Sequence, residues 1–72
     1  MAVEVKVYVN GKPAKKNDVR VETTWGNCSD WTDENGEISF EDLPSDRVTK
    51  FYVKGQMIKE ALPSNGKVSL YL

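Results

Sequence analysis

Two tryptophans, Trp25 and Trp31, stand six residues apart and bracket Gly26-Asn27-Cys28-Ser29-Asp30. Indole faces stack on sugar rings and anchor protein partners, and Asn27, Ser29 and Asp30 would supply the polar groups that a sugar hydroxyl needs. Trp25, Asn27, Asp30 and Trp31 are therefore the candidate binding residues. The competing reading puts one or both indoles at the end of a small core. Tyr8, Tyr52 and Tyr71 each fall on the side of their segment opposite the apolar series. If the first and last strands are neighbours, Tyr8 and Tyr71 form an outward aromatic pair and a candidate interface; the plainer alternative is a cross-strand pair half shielded by lysine stems.

Other chemistry is thinly provided. The chain has no histidine, which removes histidine triads, H-E-x-x-H zinc sites and imidazole pH switches. Serines, threonines and carboxylates are plentiful, but a nucleophile without a base is not a catalyst, and 72 residues hardly enclose the cleft that paired acids need. A non-enzymatic role with no cofactor is expected. Cys28 has no Lys, Arg or His next to it, and Asp30 would raise its pKa, so it is expected to be structural. Asp33, Asn35, Gly36 and Ile38 match the middle of an EF-hand loop, but Trp31 falls at the first ligand position and Asp42 at the twelfth. The two decisive ligands are wrong, and a solvated turn with no metal is expected. Lys12, Lys15 and Lys16 make a small basic loop without interleaved aromatics, read as solvated.

Ten basic and eleven acidic residues leave a net charge of −1, too little field to hold a polyanion or an anionic membrane. Neither nucleic acid nor membrane is expected as a partner; an unidentified protein is favoured, with a carbohydrate as the alternative. No apolar run approaches the length of a membrane span, and no cationic segment leads into an apolar one at the start. One cysteine cannot close an internal disulfide, and small domains of oxidising compartments usually rely on several. As written the chain reads as cytoplasmic; as an excised domain of a larger secreted protein it would be extracellular.

The elements that must position these residues are strands. Nine valines against four leucines and three alanines favour pleated structure. Val3, Val5, Val7 and Val9 alternate with Glu4, Lys6 and Tyr8, and Val19, Val21 and Thr23 with Arg20 and Glu22. Cys28 to Thr32 is a short candidate strand, and Asp33-Glu34-Asn35-Gly36 predicts a hairpin joining it to Glu37 to Phe40. Arg47 to Lys54 carries Phe51 and Val53 on one face, Gly55-Gln56 breaks it, Met57 to Leu62 fits a strand or a helix with strand favoured, and Val68, Leu70 and Leu72 alternate to the end. The expected core is Val5, Val7, Val21, Ile38, Phe40, Phe51, Val53, Val68 and Leu70. About seven short strands in one domain over residues 1–72, monomeric or weakly dimeric, predict an all-β sandwich or barrel.

Thr32-Asp33-Glu34-Asn35-Gly36-Glu37-Ile38-Ser39-Phe40-Glu41-Asp42-Leu43-Pro44 resembles the T-D-x-x-G-x-(F/Y/I)-x-F-x-x-L-P signature of carboxypeptidase regulatory-like domains. Val9-Asn10-Gly11-Lys12-Pro13, followed by Val19 and Val21, is similar to that family's Gly-Lys-Pro turn and second strand. The resemblance spans most of the first 44 residues and weakens after Pro44, where Ser45-Asp46-Arg47-Val48 stands in place of a glycine and an aromatic residue. It implies a transthyretin-like, Greek-key β-sandwich with an accessory, linking or recognition role. Adhesin repeats of related architecture often carry a Lys to Asn isopeptide bond, which is not expected here because Lys6 should face out and Asn65 sits in a turn.

Overall fold

The alternation that begins the chain forms the central strand of a sheet. In the computed structural model, which describes residues 3–25 and 29–72, β1 (Val3–Val9) buries Val3, Val5 and Val7 on one face and turns Glu4, Lys6 and Tyr8 outward. Seven further strands follow among the described residues: β2 (Lys12–Pro13), β3 (Arg20–Thr23), β4 (Ser29–Trp31), β5 (Glu37–Phe40), β6 (Thr49–Val53), β7 (Gln56–Ala61) and β8 (Lys67–Tyr71). No helix is present among them, so the fold is all-β. The expected count of about seven rises to eight through the two-residue β2.

Two sheets form. In the first, β1 pairs with β5 and then β2 along one edge, both antiparallel, and with β8 along the other edge, parallel. In the second, the order is β4-β3-β6-β7, antiparallel throughout. The first sheet sends Val3, Val5, Val7, Ile38, Val68 and Leu70 into a single apolar cluster, and the second adds Val21 and Phe51. Because one cluster is shared by both sheets, they stack face to face as a sandwich.

Asp33 to Gly36 does turn the chain, but it does not join paired strands as the sequence predicts. The tip closes on itself, with Asp33 N–H donating to Glu37 C=O at 2.9 Å and Asp33 Oδ1 accepting from the N–H groups of Asn35 and Glu37. Beyond the tip the strands part: β4 pairs with β3 and β5 with β1, one in each sheet. Competing partners cause this. Thr32 N–H donates to Val19 C=O, and its C=O accepts from Asn17 N–H, so the residue before the turn belongs to the 15–19 segment. On the other side Gly36 C=O accepts from Val7 N–H at 2.8 Å, which draws the following strand onto β1.

The tight hairpins lie elsewhere. Asn10-Gly11 and Lys54-Gly55 each join strands that pair immediately on either side, Val9 with Lys12 and Val53 with Gln56. All four turn residues have positive φ, the geometry that matches the twist of a two-residue hairpin. Met57 to Leu62 is strand where β7 runs, with a register shift opposite Phe51 and Tyr52. The core extends past the expected set to Val3, Ala14, Val19 and Leu43, whereas Val53 is only half-buried against it.

Candidate functional site

Trp25 and Trp31 belong to opposite ends of the sandwich. Trp31 closes β4 and faces Arg20 at the start of β3, while Trp25 follows the far end of β3. Arg20 begins β3, whereas Trp25 lies two residues past its end at Thr23. The indole of Trp25 packs against the core, and its Nε1 donates to Thr49 Oγ1 at 2.8 Å, at the start of β6. Thr49 is buried and also donates to Arg47 C=O, so this contact ties the end of the β3 segment to β6. Trp31 is instead 49% exposed. Antiparallel geometry accounts for the separation, because residues flanking a hairpin tip and residues at its base lie a strand length apart.

Of the other candidates, Asp30 is exposed and its Oδ1 accepts from Trp31 N–H at 2.8 Å, fixing the local chain rather than projecting away from it. Asn27 lies outside the described residues, as do Gly26 and Cys28. The structure thus brings Asp30 and Trp31 together and leaves Trp25 apart from both.

Trp31 lines a cleft of about 770 Å³ formed by residues of both sheets. Val9, Val19, Val53, Ile58 and Leu72 supply its apolar wall, all but Ile58 at or next to the end of a strand. Asp18, Arg20, Glu22 and Lys54 stand around it. Arg20 is engaged, its guanidinium 3.3 Å from Glu22 Oε1 and 3.2 Å from Ser29 Oγ, whereas Lys54 forms no ion pair among the described residues. This arrangement can take an apolar group against the valines and an indole, with charges of both signs to orient polar ends. Among the described residues no group of three or more His, Cys, Asp or Glu side chains gathers to hold a metal ion.

Tyr8 and Tyr71 do meet, as direct partners across the parallel β1–β8 pair. Their rings stack at 5.1 Å between centroids with 10° between planes, and Lys6 Nζ lies 5.8 Å from the Tyr8 centroid. Lys6 also approaches Glu37 Oε2 at 3.9 Å on the same outer face.

Lys54 and the cleft walls are absent from the candidates that the sequence offers. The one available signal was the Lys54-Gly55 pair between two strand-like runs, which marks a two-residue hairpin and so an exposed tip. Val9, Val53 and Leu72 read in sequence only as the last members of alternating series. No described helix is long and apolar enough to cross a membrane. Compared with protein-family models, curated proteins and solved structures, the chain matches none.

Proposed function

We propose that this chain is a non-catalytic β-sandwich interaction module of the transthyretin-like, carboxypeptidase regulatory-like kind, in which Trp31 anchors a protein partner at the open end of the sandwich. The observation that carries the reading is a tryptophan left 49% exposed beside a cleft with an apolar wall. Tryptophan is the side chain most enriched among residues that dominate binding energy, and a neighbouring apolar pocket lets a partner's side chain lose its water. The family part of the reading is supported by the two-sheet architecture and by the Thr32-Asp33-x-x-Gly36 turn, whose named residues all bind backbone. Absence of histidine, the commonest general base, supports a role without catalysis. A single cysteine favours a reducing compartment for the chain as written, and we take a monomer or weak homodimer as its working state.

Carbohydrate recognition is the second reading, and it now rests on Trp31 alone, with Arg20, Ser29 and Asp30 near it, since the indole of Trp25 is bonded to Thr49. Peptide selection on the intact protein, counter-selected on Trp31→Ala, separates the two readings when run beside tryptophan emission with a panel of soluble polysaccharides. Enriched peptides that bind the parent and not the variant support protein recognition. A polysaccharide that shifts the emission of Trp25→Phe, which retains only the Trp31 indole, supports sugar binding instead. If neither class distinguishes the parent from Trp31→Ala, Trp31 is not a binding residue.

A further inference from the structure

A second groove runs along the flank of the sandwich, where the edge of β7 in one sheet lies beside the edge of β8 in the other. It measures about 500 Å³, and its ionisable side chains are Lys59, Lys67 and Tyr71, with no carboxylate among them. In a chain of net charge −1, that is a local excess of positive charge. Neither lysine forms an ion pair among the described residues. Glu4, the neighbour of Lys67 in the strand register, belongs to β1 on the other side of β8 and makes no ion pair with it.

The wall of this groove is an open strand edge. Gly66 C=O accepts from Glu4 N–H, while Leu72 N–H donates to Tyr8 C=O and its C=O accepts from Asn10 N–H. Even-numbered residues of the β8 segment therefore turn their backbone groups to β1, and Lys67, Ser69 and Tyr71 turn theirs to the groove. Two of these groups are held by side chains. Asn65 Oδ1 accepts from Lys67 N–H at 3.1 Å, and Lys59 Nζ donates to Ser69 C=O at 3.1 Å. Among the described residues the N–H groups of Ser69 and Tyr71 have no partner and remain available for pairing with another strand.

We propose that this groove docks an extended acidic peptide of a partner protein, which pairs its backbone with the open edge of β8 and sets its carboxylates against Lys59 and Lys67. Backbone pairing supplies affinity that does not depend on the peptide's side chains, and the two ammonium groups select for acidic ones. Entry of the peptide releases Lys59 Nζ from Ser69 C=O and gives it a carboxylate in exchange. The inference rests on the interaction reading but uses a surface remote from Trp31, so the two fail separately.

The test uses the full chain with alternating Val-Glu and Val-Lys peptides of equal length, followed by fluorescence anisotropy and by amide exchange at Ser69 and Tyr71. The Val-Glu peptide is expected to bind and to slow exchange at both amides, and the Val-Lys peptide to do neither. Lys59→Gln combined with Lys67→Gln should weaken binding by about tenfold or more, since both positions are exposed and the fold should be retained. Methylating the peptide's backbone nitrogens should abolish binding, and Trp31→Ala should leave it unchanged. Binding that survives backbone methylation, or that disappears with Trp31→Ala, overturns the proposal. So does protection of Ser69 and Tyr71 that rises with protein concentration in the absence of peptide, which would assign the edge to a second copy. Failure of the Val-Glu peptide to bind at all also overturns it, while leaving the Trp31 cleft untouched.

Discussion

Thr32 joins four hydrogen bonds to one neighbouring segment. Its hydroxyl donates to Lys15 C=O at 2.7 Å and accepts from Val19 N–H, while its N–H and C=O pair with Val19 and Asn17. The side chain is buried, so Thr32→Val keeps the shape but leaves the Lys15 carbonyl and the Val19 N–H without their partner. A loss of about 1–3 kcal/mol is expected, measured as a lower urea midpoint at unchanged slope. Gly36 has a different constraint. Its φ is +75°, and a β-carbon there would lie 2.7 Å from Ala14 N and 2.9 Å from Val7 O, both backbone atoms that cannot step aside. Gly55 has a similar φ of +79° and open space around it. Gly55→Ala should therefore cost only the left-handed conformation, roughly 1–2 kcal/mol, and Gly36→Ala should cost roughly 2–5 kcal/mol. Equal losses would show that close approach to β1 is not what fixes the glycine.

Among the elements, the β6–β7 hairpin carries a local conflict. Lys54 occupies the first position of its turn at φ +53°, where a side chain without a short polar group is disfavoured and Asn is the common choice. Lys54→Asn should raise stability by about 0.5–1 kcal/mol, visible as a higher melting midpoint. Since Lys54 also stands at the Trp31 cleft, the same variant should weaken any peptide obtained by selection that carries a carboxylate. A midpoint that falls would mean that Lys54 contributes packing that outweighs its backbone strain. The β1–β8 pair has a different character, because it unites strands from the two ends of the described chain, a contact that closes only after the intervening turns have formed.

At the scale of the whole molecule, both sheets depend on one core. Val7 from the first sheet and Val21 from the second are fully buried in the same cluster. Val7→Ala and Val21→Ala should each lower a single unfolding transition by roughly 2–3 kcal/mol, with circular dichroism and tryptophan emission changing together. Separate transitions for the two variants would mean that the sheets are stabilised independently. Phe40→Ala should remove roughly 3–5 kcal/mol, comparable with the entire stability of a domain this small, and leave the chain largely unfolded.

The amino-acid sequence by itself determined the all-β class, the strand faces and most of the core, since a period of two assigns each side chain a face wherever a strand forms. Val5, Val7, Val21, Ile38, Phe40, Phe51, Val68 and Leu70 are buried as their alternation requires. It also anticipated the outward pairing of Tyr8 and Tyr71, conditional on a neighbour relation that it could not establish. Tertiary structure alone decided which strand each element pairs with. The strands flanking Asp33 to Gly36 look like a hairpin locally, yet Val19 C=O takes the N–H of Thr32 and Val7 N–H takes the C=O of Gly36, and these partners distant in sequence send β4 and β5 into different sheets. The same non-local pairing put Trp25 and Trp31 at opposite ends, gathered Val9, Val19, Val53, Ile58 and Leu72 into one cleft, and left the N–H groups of Ser69 and Tyr71 on an unpaired strand edge. Face follows from local periodicity; neighbour follows from hydrogen bonds between residues that only the folded chain brings together.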